Sequence, residues 1–236
     1  MTTASGGVGR TSTPSLSDAM SELAITLQKE YESVEDTLQS ITDSTLSLVP
    51  GTTDVSVSLV VKRRRIQSRA ATGDIALEVD RLQDILEEGP CLDAVWTHQT
   101  IEVPDIRDEP RWPRFALAAA DLGVRSMLCF QLYTHDDNLG ALNLSSTSVD
   151  AFDGEARQTG TLVATHAAIA LIAAEHEHQM QSALVSRDVI GQAKGIIMER
   201  YDVSATQAFE MIRQLSQDWN VTVSELARNI ADRSTP

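Results

Sequence analysis

From about Glu155 the sequence carries a helical pattern that does not stop until Arg200, roughly 45 residues later, which is long for a helix inside one globular unit. Leu162, Ile169, Ile172 or Ala173, His176, Met180 and Leu184 supply a ragged apolar seam along it. A seam of that length calls for a coiled coil rather than burial within a single domain. It therefore predicts a homodimer through the helix from about Leu162 to Leu184, with His176 as a polar break in the seam. His176, Glu177 and His178 have the look of a metal site, but a polar break in a dimer seam is the better reading of them, and no metal is expected.

The last fifty residues resolve into three amphipathic stripes. Val189, Ile190, Ala193, Ile196 and Ile197 share one face at the i, i+3, i+4, i+7 spacing. Ser204 and Gln207 make a capping box that starts a second helix, whose stripe is Ala205, Ala208, Phe209, Ile212, Leu215, Ser216 and Trp219. Asn220 tolerates a left-handed backbone and reads as its stop. Thr222 and Glu225 repeat the start signal, and Val223, Leu226, Ala227, Ile230 and Ala231 give the third stripe. Periodicity alone leaves three readings open: an RNA-binding bundle, a helix-turn-helix DNA-binding regulator, and a protein-docking signalling adaptor that touches no nucleic acid.

The string Ile190-Gly191-Gln192-Ala193-Lys194-Gly195-Ile196-Ile197-Met198-Glu199-Arg200 resembles the opening of an ANTAR domain, the RNA-binding output module of bacterial antiterminators. Val203-Ser204, Ala208-Phe209, Arg213, Leu215-Ser216 and Asn220 stand at matching spacings. The resemblance implies binding to paired RNA stem-loops in nascent transcripts, which would prevent terminator formation. It makes Lys194, Arg200 and Arg213 candidates for phosphate contact, and Gln192, Gln214 and Asn220 candidates for reading loop bases.

Ahead of the long helix the order is helix, strand pair, helices and loop, strand pair, which is α+β with an antiparallel sheet. Residues 1–14 are Gly, Ser and Thr-rich without periodicity and read as a disordered tail. A helix is predicted from Leu16 to Leu46, capped at Ser15 or Ser17 and ended by Pro50-Gly51. Val55, Val57, Leu59 and Val61 alternate with Ser56 and Ser58 as in a half-buried strand. Lys62 to Arg65 reads as a solvated hairpin tip, with Ile66 to Ala71 returning. Helical spacing covers Leu77 to Leu86 and Phe115 to Leu122, and strands cover Met127 to Tyr133 and Leu139 to Leu144 around a turn at His135 to Asn138. This order places helices on one face of the sheet and a ligand-sized pocket under the other.

Gly89-Pro90-Cys91-Leu92-Asp93, Val103-Pro104-Asp105-Ile106, Arg111-Trp112-Pro113-Arg114-Phe115, Gly123-Val124-Arg125-Ser126 and Gly140-Ala141-Leu142-Asn143-Leu144 resemble the GAF sensory domains found ahead of ANTAR modules in actinobacterial regulators. The expected layout is a tail at 1–14, a GAF-like sensory domain at 15–171, a coiled-coil connector at 172–185 and a three-helix ANTAR-like domain at 186–236. The Asn-Lys-Phe-Asp-Glu signature of cyclic-nucleotide-binding GAF domains is absent. The lining of the pocket is unknown from sequence, and its ligand is expected to be small and largely apolar or uncharged.

Charge limits how the output half could hold RNA. The chain has 19 Lys and Arg against 34 Asp and Glu, a net charge of −15. From Ser186 onward there are six basic and seven acidic residues, so the rest of the chain carries nearly all of the excess. A few placed cations, rather than a basic field, must do any binding. The two cysteines cannot form a disulfide framework, nothing resembles a secretory signal, and no apolar run approaches a membrane span, so a cytoplasmic protein is expected. With no Walker loop, GxGxxG, HExxH or GxSxG, neither an enzyme nor a cofactor is expected. Cys91 and His98 lack a third partner, and Cys91 reads as a buried structural thiol.

Overall fold

The computed structural model describes residues 21, 23–25, 33–61, 65–97, 100–133 and 138–232. The chain divides into two compact units, Met1–Glu175 and His176–Pro236. The tail expected at 1–14, the caps expected at Ser15 or Ser17, Lys62, His98 and the turn at His135 lie outside the described residues.

The first unit is built on one antiparallel sheet. Its strands are β1 (Asp54–Val61), β2 (Arg65–Ala71), β3 (Ile101–Val103), β4 (Ser126–Tyr133) and β5 (Asn138–Ser146), in the order β2-β1-β5-β4-β3. The helices are α1 (Val34–Leu48), α2 (Asp74–Leu86), α3 (Pro90–Thr97), α4 (Pro113–Asp121) and the first part of α5 (Gly154–Tyr201). Side chains alternate across a strand, so each central strand serves two interiors. Val55, Val57 and Leu59 of β1, Leu128, Phe130 and Leu132 of β4, and Leu142 and Leu144 of β5 pack with Leu38 and Ile41 of α1 and with Val163, Ala167 and Leu171 of α5. The intervening residues face the other way. Met127 and Cys129 pack with Val79, Ala94 and Phe115 from α2, α3 and α4, while Ala141 meets Cys91 and Val95.

The expectation of helices on one face is therefore corrected: both faces are covered. The apolar stripes of α2 to α4 also need a surface to bury against, and the second face of the sheet supplies it. The same fact corrects the reading of β1. Ser56 and Ser58 are 2% and 1% exposed, so the strand is buried on both sides rather than on one. β2 is an edge strand, and it does alternate, with Arg65, Gln67 and Arg69 exposed.

Two further differences have local causes. The single helix expected from Leu16 to Leu46 is interrupted at Ser33, whose backbone is extended and whose Oγ accepts the Asp36 N–H at 3.0 Å, so that α1 starts afresh there. Close strand approach sets one glycine: Gly140 has φ +151°, and an added Cβ would run into the Ser58 carbonyl on the neighbouring strand.

The second unit contains the end of α5, α6 (Ala205–Trp219) and α7 (Val223–Asp232). Both halves of the capping box form: Ser204 Oγ accepts the Gln207 N–H at 3.3 Å, and Gln207 Oε1 accepts the Ser204 N–H at 2.9 Å. Asn220 closes α6 in the left-handed conformation, φ 53°. Thr222 Oγ1 accepts the Glu225 N–H at 3.2 Å as α7 begins. Ala193, Ile197, Ala208, Ile212, Leu226 and Ala227 form the buried centre, with Val189, Ile190, Met211, Leu215 and Ile230 around it. The stripe expected on α6 is corrected at Phe209 and Trp219, which are 37% and 63% exposed. A three-helix core this small covers only the inner face of α6, and Trp219 lies in its last turn.

This packing sets a stability contrast. Leu171→Ala, at a position with no exposure, should cost about 2–5 kcal/mol, whereas Leu117→Ala on the outer face of α4 should stay within about 0.5 kcal/mol. Denaturant titration of both variants checks it; equal losses would mean that α5 does not cap the sheet.

Candidate functional site

On α5 each residue turns the helix by about 100°, and this separates the sequence candidates. Lys194 is half-buried beside the buried Ala193. Arg187 precedes it by seven residues, and Met198 and Tyr201 follow by four and seven, so all four share one side of the helix. Arg187 and Met198 are exposed, and Tyr201 is 59% exposed. Gln192 is exposed, but it points about 160° away from Lys194, and Arg200 about 120° away. Lys194, Arg200 and Gln192 therefore do not form one patch. The cation that accompanies Lys194 is Arg187, legible in the sequence only as the residue two turns earlier.

Gly191 and Gly195 border the same face. An added Cβ at either meets nothing within 4 Å, so neither is required by packing inside the chain. Each costs the helix about 0.5–1 kcal/mol relative to alanine.

On α6, Arg213 and Gln214 are exposed neighbours. Arg213 donates through Nε and Nη2 to Glu210 Oε2 at 2.9 and 2.7 Å, and Gln214 Nε2 donates to Asp218 Oδ1 at 3.4 Å. The exposed Phe209 lies one turn before Arg213 on the same surface. Asn220 is exposed, and its backbone closes the helix, with its N–H donating to Gln217 and Ser216 carbonyls. Periodicity placed Phe209 and Trp219 in the core and so hid them as surface aromatics.

The first unit holds a cavity of about 500 Å³ between β1, β2, α2 and the start of α3. Asp80, Gln83 and Cys91 line it with Ser58, Ile66 and Leu77, while Arg65, Arg81 and Asp84 also contribute to the lining. Asp80, 7% exposed, accepts from Ser56 Oγ at 2.9 Å, Ser58 Oγ at 3.0 Å and Asn143 Nδ2 at 3.3 Å. Burial pushes its carboxyl above the ordinary range, and these hydrogen bonds hold it part of the way down. Gln83 Oε1 accepts the Cys91 N–H at 2.8 Å, and its Nε2 is buried without a partner among the described residues.

The Gly-Pro-Cys motif builds this corner. Gly89 takes φ +143°, and an added Cβ there would collide with Gln83; Pro90 then opens α3 and delivers the Cys91 N–H to Gln83. Burial pushes the Cys91 thiol up to about 12, with the Asp80 charge adding to the shift, so the sulfur stays protonated and is a poor nucleophile. Among the described residues no three His, Cys, Asp or Glu side chains gather in a way that could hold a metal ion. No helix among them is long and apolar enough to cross a membrane.

Comparison with known proteins agrees with this division. The GAF domain family matches residues 32–172, more than half of the chain, and the ANTAR domain family matches residues 178–230. No curated protein sequence matches the chain. Among solved structures, the free methionine-R-sulfoxide reductase of Neisseria meningitidis, determined with its substrate, is 16% identical with a TM-score of 0.54, over 69% of this chain and 91% of that one. The GAF domain of an Acinetobacter phosphoenolpyruvate-protein phosphotransferase is 12% identical with a TM-score of 0.55, over 71% and 99%. The photosensory core module of a Stigmatella aurantiaca phytochrome is 10% identical with a TM-score of 0.60; it covers 90% of this chain, which spans 47% of that one. At these identities the likeness is one of fold.

The buried carboxylate gives a signed pH dependence. Above its raised folded value the ionised Asp80 costs stability, and that cost disappears as pH falls toward the unfolded value near 3.8. The thermal midpoint of Asp80→Asn minus that of wild type should therefore grow as pH rises from about 4 to about 8. Calorimetric scans across that range check it; a difference that shrinks with rising pH would show that the hydrogen bonds outweigh burial.

Proposed function

Since the chain belongs to the GAF domain family and carries an ANTAR domain behind the GAF match, we propose that it is a regulator in which a GAF sensory domain controls an RNA-binding antitermination module. The ANTAR domain match carries this reading, because ANTAR modules bind stem-loops in nascent RNA. The self-contained core of the second unit supports it. Ala193, Ile197, Ala208, Ile212, Leu226 and Ala227 bury each other, which leaves Arg187, Lys194, Tyr201, Phe209 and Arg213 available to a partner.

The two surfaces supply what hairpin binding needs. Cations neutralise phosphates, and exposed aromatics stack on unpaired loop bases. The ion pair between Arg213 and Glu210 does not exclude Arg213, since an exposed pair is worth about 0–1 kcal/mol and exchanges readily for phosphate. It does make Lys194 the stronger contributor. Gly191 and Gly195 fit the same role, because they let a nucleic acid backbone approach α5 closely. In this reading the first unit acts as a sensor, and the protein works in the cytoplasm.

The functional unit in this reading is a homodimer. Spacing in the sequence puts Leu162, Ile169, His176, Met180 and Leu184 on one line; Leu162 and Ile169 of the first unit are 40% and 58% exposed, and Met180 and Leu184 of the second are 61% and 57% exposed. A second copy of the same helix would cover this line and present two modules to two hairpins.

Two measurements test these proposals. In titrations of a two-hairpin RNA at several salt concentrations, Lys194→Ala should weaken binding and flatten the salt dependence by roughly 0.7–0.9 in slope, with Arg213→Ala following more weakly. Gly195→Ala should bind less RNA although it stabilises α5 by about 0.5–1 kcal/mol. Wild-type affinity and slope in all three folded variants would remove the RNA-binding reading from this face. In light scattering, Met180→Lys with Leu184→Lys should halve the mass of wild type. An unchanged dimer would move the interface elsewhere, and a monomeric wild type would eliminate it.

A further inference from the structure

The cavity beside Asp80 has chemistry that the sensory reading does not itself specify. A carboxylate removed from water is costly unless a cation accompanies it. Asp80 has no such partner among the described residues: its hydrogen bonds come from neutral Ser56, Ser58 and Asn143. Neither arginine of the lining is bonded to Asp80: Arg65 pairs with Asp84 at 3.3 Å and Arg81 with Glu78 at 3.3 Å, both on the solvent-exposed side. Three donors orient the carboxylate, and its negative charge has no cationic partner among the described residues.

A second, independent feature lies in the same lining. Gln83 is 3% exposed, and its carbonyl oxygen is held by the Cys91 N–H, which fixes the orientation of the amide. The Nε2 group then has no acceptor among the described residues. Leaving a buried donor unmade is as costly as a lost hydrogen bond, and a resident acceptor would recover it. Gly89 is the residue that makes room for this arrangement. The cavity volume of about 500 Å³ is within the range of small-molecule sites.

We propose that this cavity binds a compact ligand whose cationic nitrogen, a primary ammonium or a guanidinium, pairs with the Asp80 carboxylate and whose neutral oxygen accepts from the Gln83 amide. An anion would face the Asp80 carboxylate and is rejected; a neutral apolar molecule would leave that charge unpaired and the Gln83 donor unmade. The ligand class thus differs from the largely apolar or uncharged one expected from sequence. This proposal rests on the sensory half of the reading above and is independent of what the second unit binds.

The test measures ligand binding directly on the full chain, without RNA, so a failure of RNA recognition cannot be mistaken for a failure here. Titration calorimetry uses L-leucinamide and 4-guanidinobutanamide as cationic probes, each with a neutral amide oxygen, N-acetyl-L-leucinamide as the neutral match and N-acetyl-L-leucine as the anionic one. The proposal expects the cationic probes to bind wild type, the neutral one to bind more weakly and the anionic one not to bind. Asp80→Asn should weaken the cationic probes by about 30-fold or more, the consequence of truncating one side of a buried charge pair. Wild type alone suffices if that variant does not fold, because the order within the matched series is itself diagnostic. Equal or tighter binding of the neutral or anionic probe, silence of both cationic probes, or undiminished binding to a folded Asp80→Asn would each overturn it.

Discussion

A strand buried on both faces must offer two different interiors, because its side chains alternate from one face to the other. Everything in the first unit follows from that constraint. Odd positions of β1, with the matching positions of β4 and β5, make an apolar layer under α1 and α5. The alternate positions hold Ser56, Ser58 and Asn143, which no apolar layer could accept, and these converge on Asp80 from α2. Both faces thus bury apolar side chains, and the second also holds a carboxylate beside a cavity.

This division explains what could be read from the sequence and what could not. Helix periodicity, the capping box at Ser204 and Gln207 and the stop at Asn220 depend on residues close together in the chain, and the structure contains each of them. The full run of α5 was legible for the same reason. Ser56 and Ser58 defeated the pattern because alternation of Val and Ser is the mark of a strand with one wet face. Only Asp80, 24 and 22 residues away, shows that the serines are buried and hydrogen-bonded. A strand-borne Asn143 facing the same way was the one signal available. Phe209 and Trp219 failed in the opposite direction: their spacing matched a buried stripe, but the partner helices do not cover that part of α6.

On the proposed reading, the second unit faces a different problem, that of holding a polyanion with a chain of net charge −15. A diffuse field would repel RNA, so short-range contacts must carry the affinity. That places weight on geometry: Arg187 and Lys194 two turns apart on α5, with Tyr201 on the same side, and Phe209 beside Arg213 on α6. Of the sequence candidates, Gln192 and Arg200 fall on other sides of α5, and Gln214 is engaged with Asp218. On that reading, acidity elsewhere in the chain would suppress non-specific association and leave a small set of contacts to discriminate among hairpins.

The central claim is that this chain recognises structured RNA. Crosslinking the full-length protein in cells and sequencing the recovered nucleic acid addresses it most directly. The account predicts enrichment of short paired stem-loops upstream of terminators, with duplex DNA at background. Enrichment of DNA, or recovery of RNA no different from bulk ribosomal background, would contradict it.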